Sequence, residues 1–189
     1  MPAQQRKEKA REERSRLIVD AARELAEAEG WDAVTTRKLA EKVEYSQPVL
    51  YSHFKNMDAI ASAVALQGFE ELTVALTEGV RRAKLRGLAD AYLAFAREHP
   101  ALYQAMFVRR SELTFAVGEI PASLRAAFAV FLAAVDPYAD GATETLAELF
   151  WSSLHGLATL QAGKRLRPDH HENRVELLVN LVAVPTDRT

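Results

Sequence analysis

The side chains with the most chemistry to offer crowd into one short stretch, Trp31 to Ile60, which reads WDAVTTRKLAEKVEYSQPVLYSHFKNMDAI. Leu50 and Phe54 are four apart and point to a common core, which leaves Tyr51, Ser52, His53 and Lys55 on other faces. These groups donate and accept hydrogen bonds or carry charge. Nothing around them assembles an enzyme: the chain shows no paired acid and base, no Gly-rich phosphate loop and no nucleophile beside a base. It also has no cysteine, which excludes disulfides, thiolate zinc sites, iron–sulfur clusters and a cysteine nucleophile.

Those side chains must be positioned by two very short helices. Thr35 or Thr36 can cap a helix over 36–43 whose Leu39, Ala40 and Val43 face inward. A tight turn, Glu44-Tyr45-Ser46, follows. Ser46 can cap the next helix, over 47–53, with Pro48 in its first turn where a missing N–H does no harm. Two short helices joined so tightly make a helix-turn-helix, whose second helix is small enough to enter the major groove of DNA.

The rest of the chain is helical as well. Its 189 residues include 33 Ala and 23 Leu, with only 8 Gly and 7 Pro. Apolar residues recur at three and four, as in Leu17, Ala21, Leu25 and Ala28, and in Ile60, Val64, Leu72, Leu76 and Val80. The fold class is therefore all-α, with about nine helices, over 8–29, 36–43, 47–53, 57–82, 88–98, 101–116, 121–135, 141–163 and 172–183. Short helices fill the first 55 residues and longer ones the remainder. That asymmetry predicts a compact N-terminal module over 1–55 on a larger helical body over 56–189.

The stretch from Gly30 to Asn56 resembles the DNA-binding domain of the TetR family of bacterial transcription regulators. The matching residues are Gly30-Trp31, Thr35-Thr36, Leu39-Ala40 and the string Leu50-Tyr51-Ser52-His53-Phe54-Lys55-Asn56. The resemblance implies that Tyr51 and His53 contact phosphate with Lys55 close to the backbone, and that Thr36 and Arg37 lie on the DNA backbone or at base edges. It also implies that Ser46, Gln47, Pro48 and Val49 form the tip that enters the groove. Gln47 is the best base reader there, since an amide pairs bidentately with adenine, while Pro48 and Val49 offer apolar contact. Two residues depart from the family pattern: Glu44 stands where the turn usually has Gly, and Met57 where a Lys often precedes helix four.

Two further strings, His99 to Phe107 and Trp151 to Leu157, resemble the C-terminal domain of one TetR subgroup named for its Trp-His-Gly motif, here Trp151, His155 and Gly156. Family analogy makes Tyr92, Phe95, Tyr103, Met106, Phe107 and Phe128 lining residues for an effector. Trp151 and His155, stacked on one helix face, either join them or are ordinary core. The effector would be apolar or amphipathic, because few charged groups converge there. The last two long helices resemble the pair through which the family forms homodimers. Their stripes, Leu146, Leu149, Leu157 and Leu160, then Val175, Leu178, Val179 and Val182, serve either that contact or the monomer's own core. Asp169-His170-His171-Glu172 puts two adjacent histidines in a loop, a pattern that rarely binds metal; no metal and no cofactor is expected.

The reading that follows is a ligand-responsive repressor, dimeric on a palindromic stretch of double-stranded DNA. Its rival is a helical carrier or enzyme with a structural N-terminal domain. No apolar run approaches the roughly 18 residues of a membrane span, and the first 16 residues hold no apolar core of a secretory signal, so a cytoplasmic protein without a membrane partner is expected. Net charge is −2, yet residues 1–55 carry 11 Lys and Arg against 10 Asp and Glu. Within residues 1–16 the balance is six basic to three acidic. That segment either solubilises the chain or extends helix one, or reaches a phosphate or minor groove as a basic arm.

Overall fold

A computed structural model describes residues 3–109, 113 and 119–183. Among these residues every regular element is helical: α1 (Ala3–Glu29), α2 (Thr36–Val43), α3 (Gln47–His53), α4 (Met57–Glu98), α5 (Pro100–Phe107), α6 (Ala122–Val135), α7 (Thr143–Ala162) and α8 (His171–Ala183). Single turns of tighter helix occupy Trp31–Ala33, Asp136–Tyr138 and Pro168–His170. The chain packs as two compact units. One holds Met1–Gly68 with His99–Glu119, the other Phe69–Glu98 with Ile120–Thr189. Packing thus divides the chain along a different line from the sequence boundary at residue 55.

In the first unit α1 supplies the floor. Its buried residues are Ile18, Val19, Ala21, Ala22 and Ala26, whereas Leu17 is 46 % exposed and Ala28 lies in solvent. The repeat of Leu17, Ala21, Leu25 and Ala28 marks the helix but not its core face: an alanine-rich helix offers two adjacent stripes, and the bulkier Ile18–Val19 pair selects one. The helix also starts five residues earlier than expected. At its other end it grips α5. Glu27 accepts hydrogen bonds from Ala101 N at 3.1 Å and Leu102 N at 3.0 Å. These are donors that a helix beginning at Pro100 leaves unpaired, and a carboxylate there also suits the helix dipole. Trp31, 6 % exposed, donates from Nε1 to the Ala101 carbonyl at 2.7 Å. The Arg109 guanidinium lies 5.0 Å over the Trp31 ring. Behind α5, a Cβ on Gly68 would stand 2.5 Å from Met106 Sδ, so that glycine lets α4 and α5 approach closely. The expected helix over 101–116 ends at Phe107, and most of its remainder lies outside the described residues.

The second unit contains a helical hairpin inside α4. Ala83 (φ −150°, ψ 32°) and Lys84 (φ 50°, ψ −132°) break the helix, between the two segments expected over 57–82 and 88–98. Gly79 and Gly87 face each other across the break, and a Cβ on Gly87 would lie 2.7 Å from the Gly79 carbonyl carbon. α7 buries Ala147, Phe150, Leu154 and Ala158, and α8 buries Val175 and Val182. For Val175 and Val182, which could have served either a dimer contact or the monomer's own core, the structure shows the core. The leucines that α8 exposes are Leu177 and Leu181, at 63 % and 76 %. α4 also contains a stretch long and apolar enough to match a membrane span by length and composition, which no uninterrupted apolar run suggested. Of that stretch 44 % is buried inside the protein.

Replacing Gly87 by Ala forces the added methyl group against the Gly79 backbone. The expected cost is about 2–3 kcal/mol, which lowers the thermal midpoint by roughly 4–12 °C for a chain of this size. Differential scanning calorimetry of G87A against the parent chain measures it.

Candidate functional site

The helix-turn-helix forms as its caps and turn dictate. Thr35 is the N-cap of α2, its hydroxyl accepting from Lys38 N at 3.3 Å. α2 ends at Glu44 in the left-handed region, φ 56° and ψ 35°, where a residue with a Cβ is strained and Gly is at ease. α3 then starts behind Ser46. Ser46 adopts the extended N-cap conformation, but only its carbonyl serves the helix, accepting from Val49 N and Leu50 N; its hydroxyl makes no capping bond. Leu50, 1 % exposed, anchors α3 in the core, and Phe54 is only half-buried.

Around that anchor the polar side chains are held, not loose. Tyr51 is 51 % exposed, with its hydroxyl 3.1 Å from Thr36 Oγ1, so one hydrogen bond ties the end of α3 to the start of α2. His53 Nδ1 lies 2.9 Å from Ser15 Oγ of α1. Desolvation, and then the charges of Arg11 and Arg14, hold its imidazole below the ordinary value of 6.5, so the ring is neutral at neutral pH. Arg37 is exposed and pairs with Glu41 one turn on, 3.4 Å away. Ser46, Gln47 and Pro48 are exposed, Val49 is half-buried and Lys55 is exposed. Asn56, the residue before Met57, is occupied as a cap, its Oδ1 accepting from Ala59 N at 2.7 Å. The sequence reading did not find Ser15, Arg11 and Arg14 as neighbours of His53, since the hydrogen bond spans 38 residues and no local pattern encodes it.

The expected effector-lining residues divide between the two units. Tyr103, Met106 and Phe107 belong to α5 in the first unit, where Tyr103 and Met106 are buried and the Tyr103 and Phe107 rings lie 4.8 Å apart. Tyr92, Phe95, Phe128, Trp151 and His155 belong to the second. There Tyr92 is fully buried, meets Phe131 edge-on at 5.9 Å and accepts a 3.1 Å hydrogen bond from Trp151 Nε1. Phe131, absent from the sequence reading, also stacks edge-on with Phe150 at 6.2 Å and centres this aromatic cluster. Phe95 is buried, and Phe128, Trp151 and His155 are half-buried. Trp151 and His155 share one face, their rings 6.3 Å apart, and burial lowers the His155 pKa below 6.5. The side chains of 169–172 do not converge on one point: Asp169 faces Arg167 and His170, His171 faces Gln161 and Glu172 faces Arg86.

Comparison with known families agrees with this geometry. Residues 18–64 match the family of bacterial regulatory proteins, tetR family, and residues 85–182 match the tetracyclin repressor-like C-terminal domain. The chain belongs to the TetR family. A Mycobacterium tuberculosis relative, the HTH-type transcriptional regulator Rv0681, is 32 % identical over 150 residues, covering 76 % of this chain and 68 % of that one. The Bacillus subtilis HTH-type transcriptional regulator YobS is 34 % identical over 98 residues, 50 % of this chain and about half, 51 %, of the relative's length. Among solved structures, a TetR variant from Acinetobacter baumannii in complex with minocycline superposes with a TM-score of 0.61 at 21 % identity, over 88 % of this chain and 92 % of that one. TetR-family proteins are transcriptional regulators and not enzymes, which removes the carrier-or-enzyme rival.

The two depressed histidines set a pH dependence. In the unfolded chain each imidazole titrates near 6.5, and in the folded chain each titrates lower, so the unfolded state takes up protons first as pH falls. Stability is fully present above about pH 7 and declines below pH 6.5. In urea titrations from pH 7.5 to 5.5, His155→Gln is expected to show a smaller fall in midpoint than the parent chain; an unchanged fall would show that His155 is not desolvated.

Proposed function

We propose that this chain is an effector-responsive repressor that binds a palindromic operator as a homodimer in the cytoplasm. Residues 1–55 would read DNA, and residues 56–189 would hold the effector and the dimer contact. One observation carries the DNA reading. α3 offers Ser46, Gln47 and Pro48 to solvent at its tip, while Tyr51 and His53 at its other end are fixed by Thr36 and Ser15. A neutral His53 that accepts at Nδ1 from the Ser15 hydroxyl carries its proton on Nε2, which then donates to a phosphate. Thr36, Tyr51, His53 and Lys55 would position α3 on the backbone; Arg37 joins them on releasing Glu41. Gln47 would read a base edge, with Val49 beside it in apolar contact.

The dimer reading rests on α7 and α8. Leu149 and Leu160 are 59 % and 39 % exposed on α7, and Leu177 and Leu181 are exposed on α8. Gly156 lies between the α7 pair, and a Cβ there would have nothing within 4 Å, so a second helix could come close. A two-fold pairing would set the two α3 helices one DNA turn apart, roughly 34–36 Å. Within the second unit, Tyr92, Phe95 and Phe128, with Trp151 and His155, would bind an apolar or amphipathic small molecule. Release of DNA then requires only that this effector favour a wrongly spaced dimer by about 1–3 kcal/mol, a 5–150-fold effect.

Selection of bound duplexes from a random library tests the DNA reading. It should enrich an inverted repeat, and Tyr51→Ala with His53→Ala should weaken binding to it by roughly 10-fold or more at two phosphate contacts per protomer. Recovery of no enriched inverted repeat rejects the function. The dimer contact has its own readout: Leu177→Glu with Leu181→Glu should halve the mass found by analytical ultracentrifugation while helical content stays unchanged.

A further inference from the structure

Residues 3–16 are not a loose tail. α1 runs unbroken from Ala3, and its outermost turns carry charge sorted by face. At about 100° per residue, Lys7, Arg11, Arg14 and Ile18 fall within an arc of roughly 60°. Ile18 is fully buried, so this arc is the side of α1 turned towards the body of its unit. Lys7, Arg11 and Arg14 continue it outward into solvent. Glu8, Glu12 and Glu13 fall outside the arc, and Glu13 is 3.9 Å from Lys9. Among the described residues the side chains of Lys7, Arg11 and Arg14 make no ion pair. The Ser15–His53 hydrogen bond pins the base of this basic face beside the end of α3, and both arginines are near enough for their charge to act on the His53 ring.

We propose that Lys7, Arg11 and Arg14 form a helical phosphate clamp that continues the DNA-binding face beyond α3 onto the backbone flanking each half-site. This rests on the operator reading given above. The three cations span about 10 Å along the helix at 1.5 Å per residue. That is the axial length of roughly three base steps, enough for each to find a phosphate. The clamp also answers a difficulty in the charge balance. A module of 11 basic and 10 acidic residues has little bulk attraction for DNA, so the backbone contacts it makes must come from local sorting of charge.

Salt dependence separates the clamp from both bulk charge and base reading. On a selected operator with duplex flanks, the affinities of three proteins would be measured from 50 to 200 mM salt. They are the parent chain, a triple variant K7Q/R11Q/R14Q, and a control R6Q/K9Q/R16Q that removes the same charge from the other faces of α1. Each lost phosphate contact flattens the slope of log affinity against log salt by about 0.9. The clamp variant should therefore flatten it by roughly 2–5 for a dimer, with the enriched sequence unchanged, and the control should flatten it by much less. Equal slopes in the two variants overturn the clamp and leave operator reading intact, provided that the Tyr51 and His53 variant still loses binding. A parent chain that enriches no inverted repeat overturns operator reading, and the clamp with it.

Discussion

Helices of eight and seven residues, such as α2 and α3, have no stability of their own in water, where isolated helices shorter than about 12–15 residues are marginal. Everything that α3 could present to DNA therefore depends on burial against a larger surface. α1 provides it. Ile18, Ala22 and Ala26 form a smooth floor on which Leu39, Val43 and Leu50 are buried, all at 6 % exposure or less. Small residues on α1 matter here because they let short helices sit close without long side chains between them. Outside that floor, exposed pairs such as Lys38–Glu29 at 2.6 Å and Lys42–Glu24 at 2.9 Å tie α2 to α1. Such surface pairs contribute only about 0–1 kcal/mol each. Packing holds the module, and the ion pairs refine it.

The polar face shows the same economy. Thr36 and Tyr51 satisfy each other, and Ser15 satisfies His53, so two residues of α3 meet any partner in fixed orientations. Fixed donors lose less entropy on binding than freely rotating ones. Glu44 works the other way. It holds a left-handed turn that Gly would adopt more easily, and it places a carboxylate just ahead of α3. This turn is kept despite a local cost, set by the geometry that joins α2 to α3.

Local signals were legible in the sequence and distant ones were not. The bounds of α2 and α3 followed from Thr35, Ser46 and Pro48, and the break in the long helix lies between the segments expected on either side of residues 83–87. The apolar spacing of Leu17, Ala21, Leu25 and Ala28 marked α1 as a helix without marking its buried face, because alanine fits core and surface alike. On α8, Val175 and Val182 turned inward and left Leu177 and Leu181 outside, since a helix apolar on two sides does not announce which side its own chain will cover. Ser15 with His53, and Glu27 with the first turn of α5, join residues 38 and 74 or more positions apart, where periodicity carries no information.

Those long separations bear on how the protein is made. Glu27 and Trp31 find their partners at Ala101 and Leu102, so the first unit closes only when a segment far downstream returns to it. Synthesis proceeds at about 5–20 residues per second. The emerging N-terminal third must therefore wait several seconds with the Trp31 indole and the Glu27 carboxylate solvated. A nascent chain halted at residue 64 would carry the whole helix-turn-helix yet lack the strap across its floor, and the ribosome would hold an unfinished module until α5 had cleared the exit tunnel.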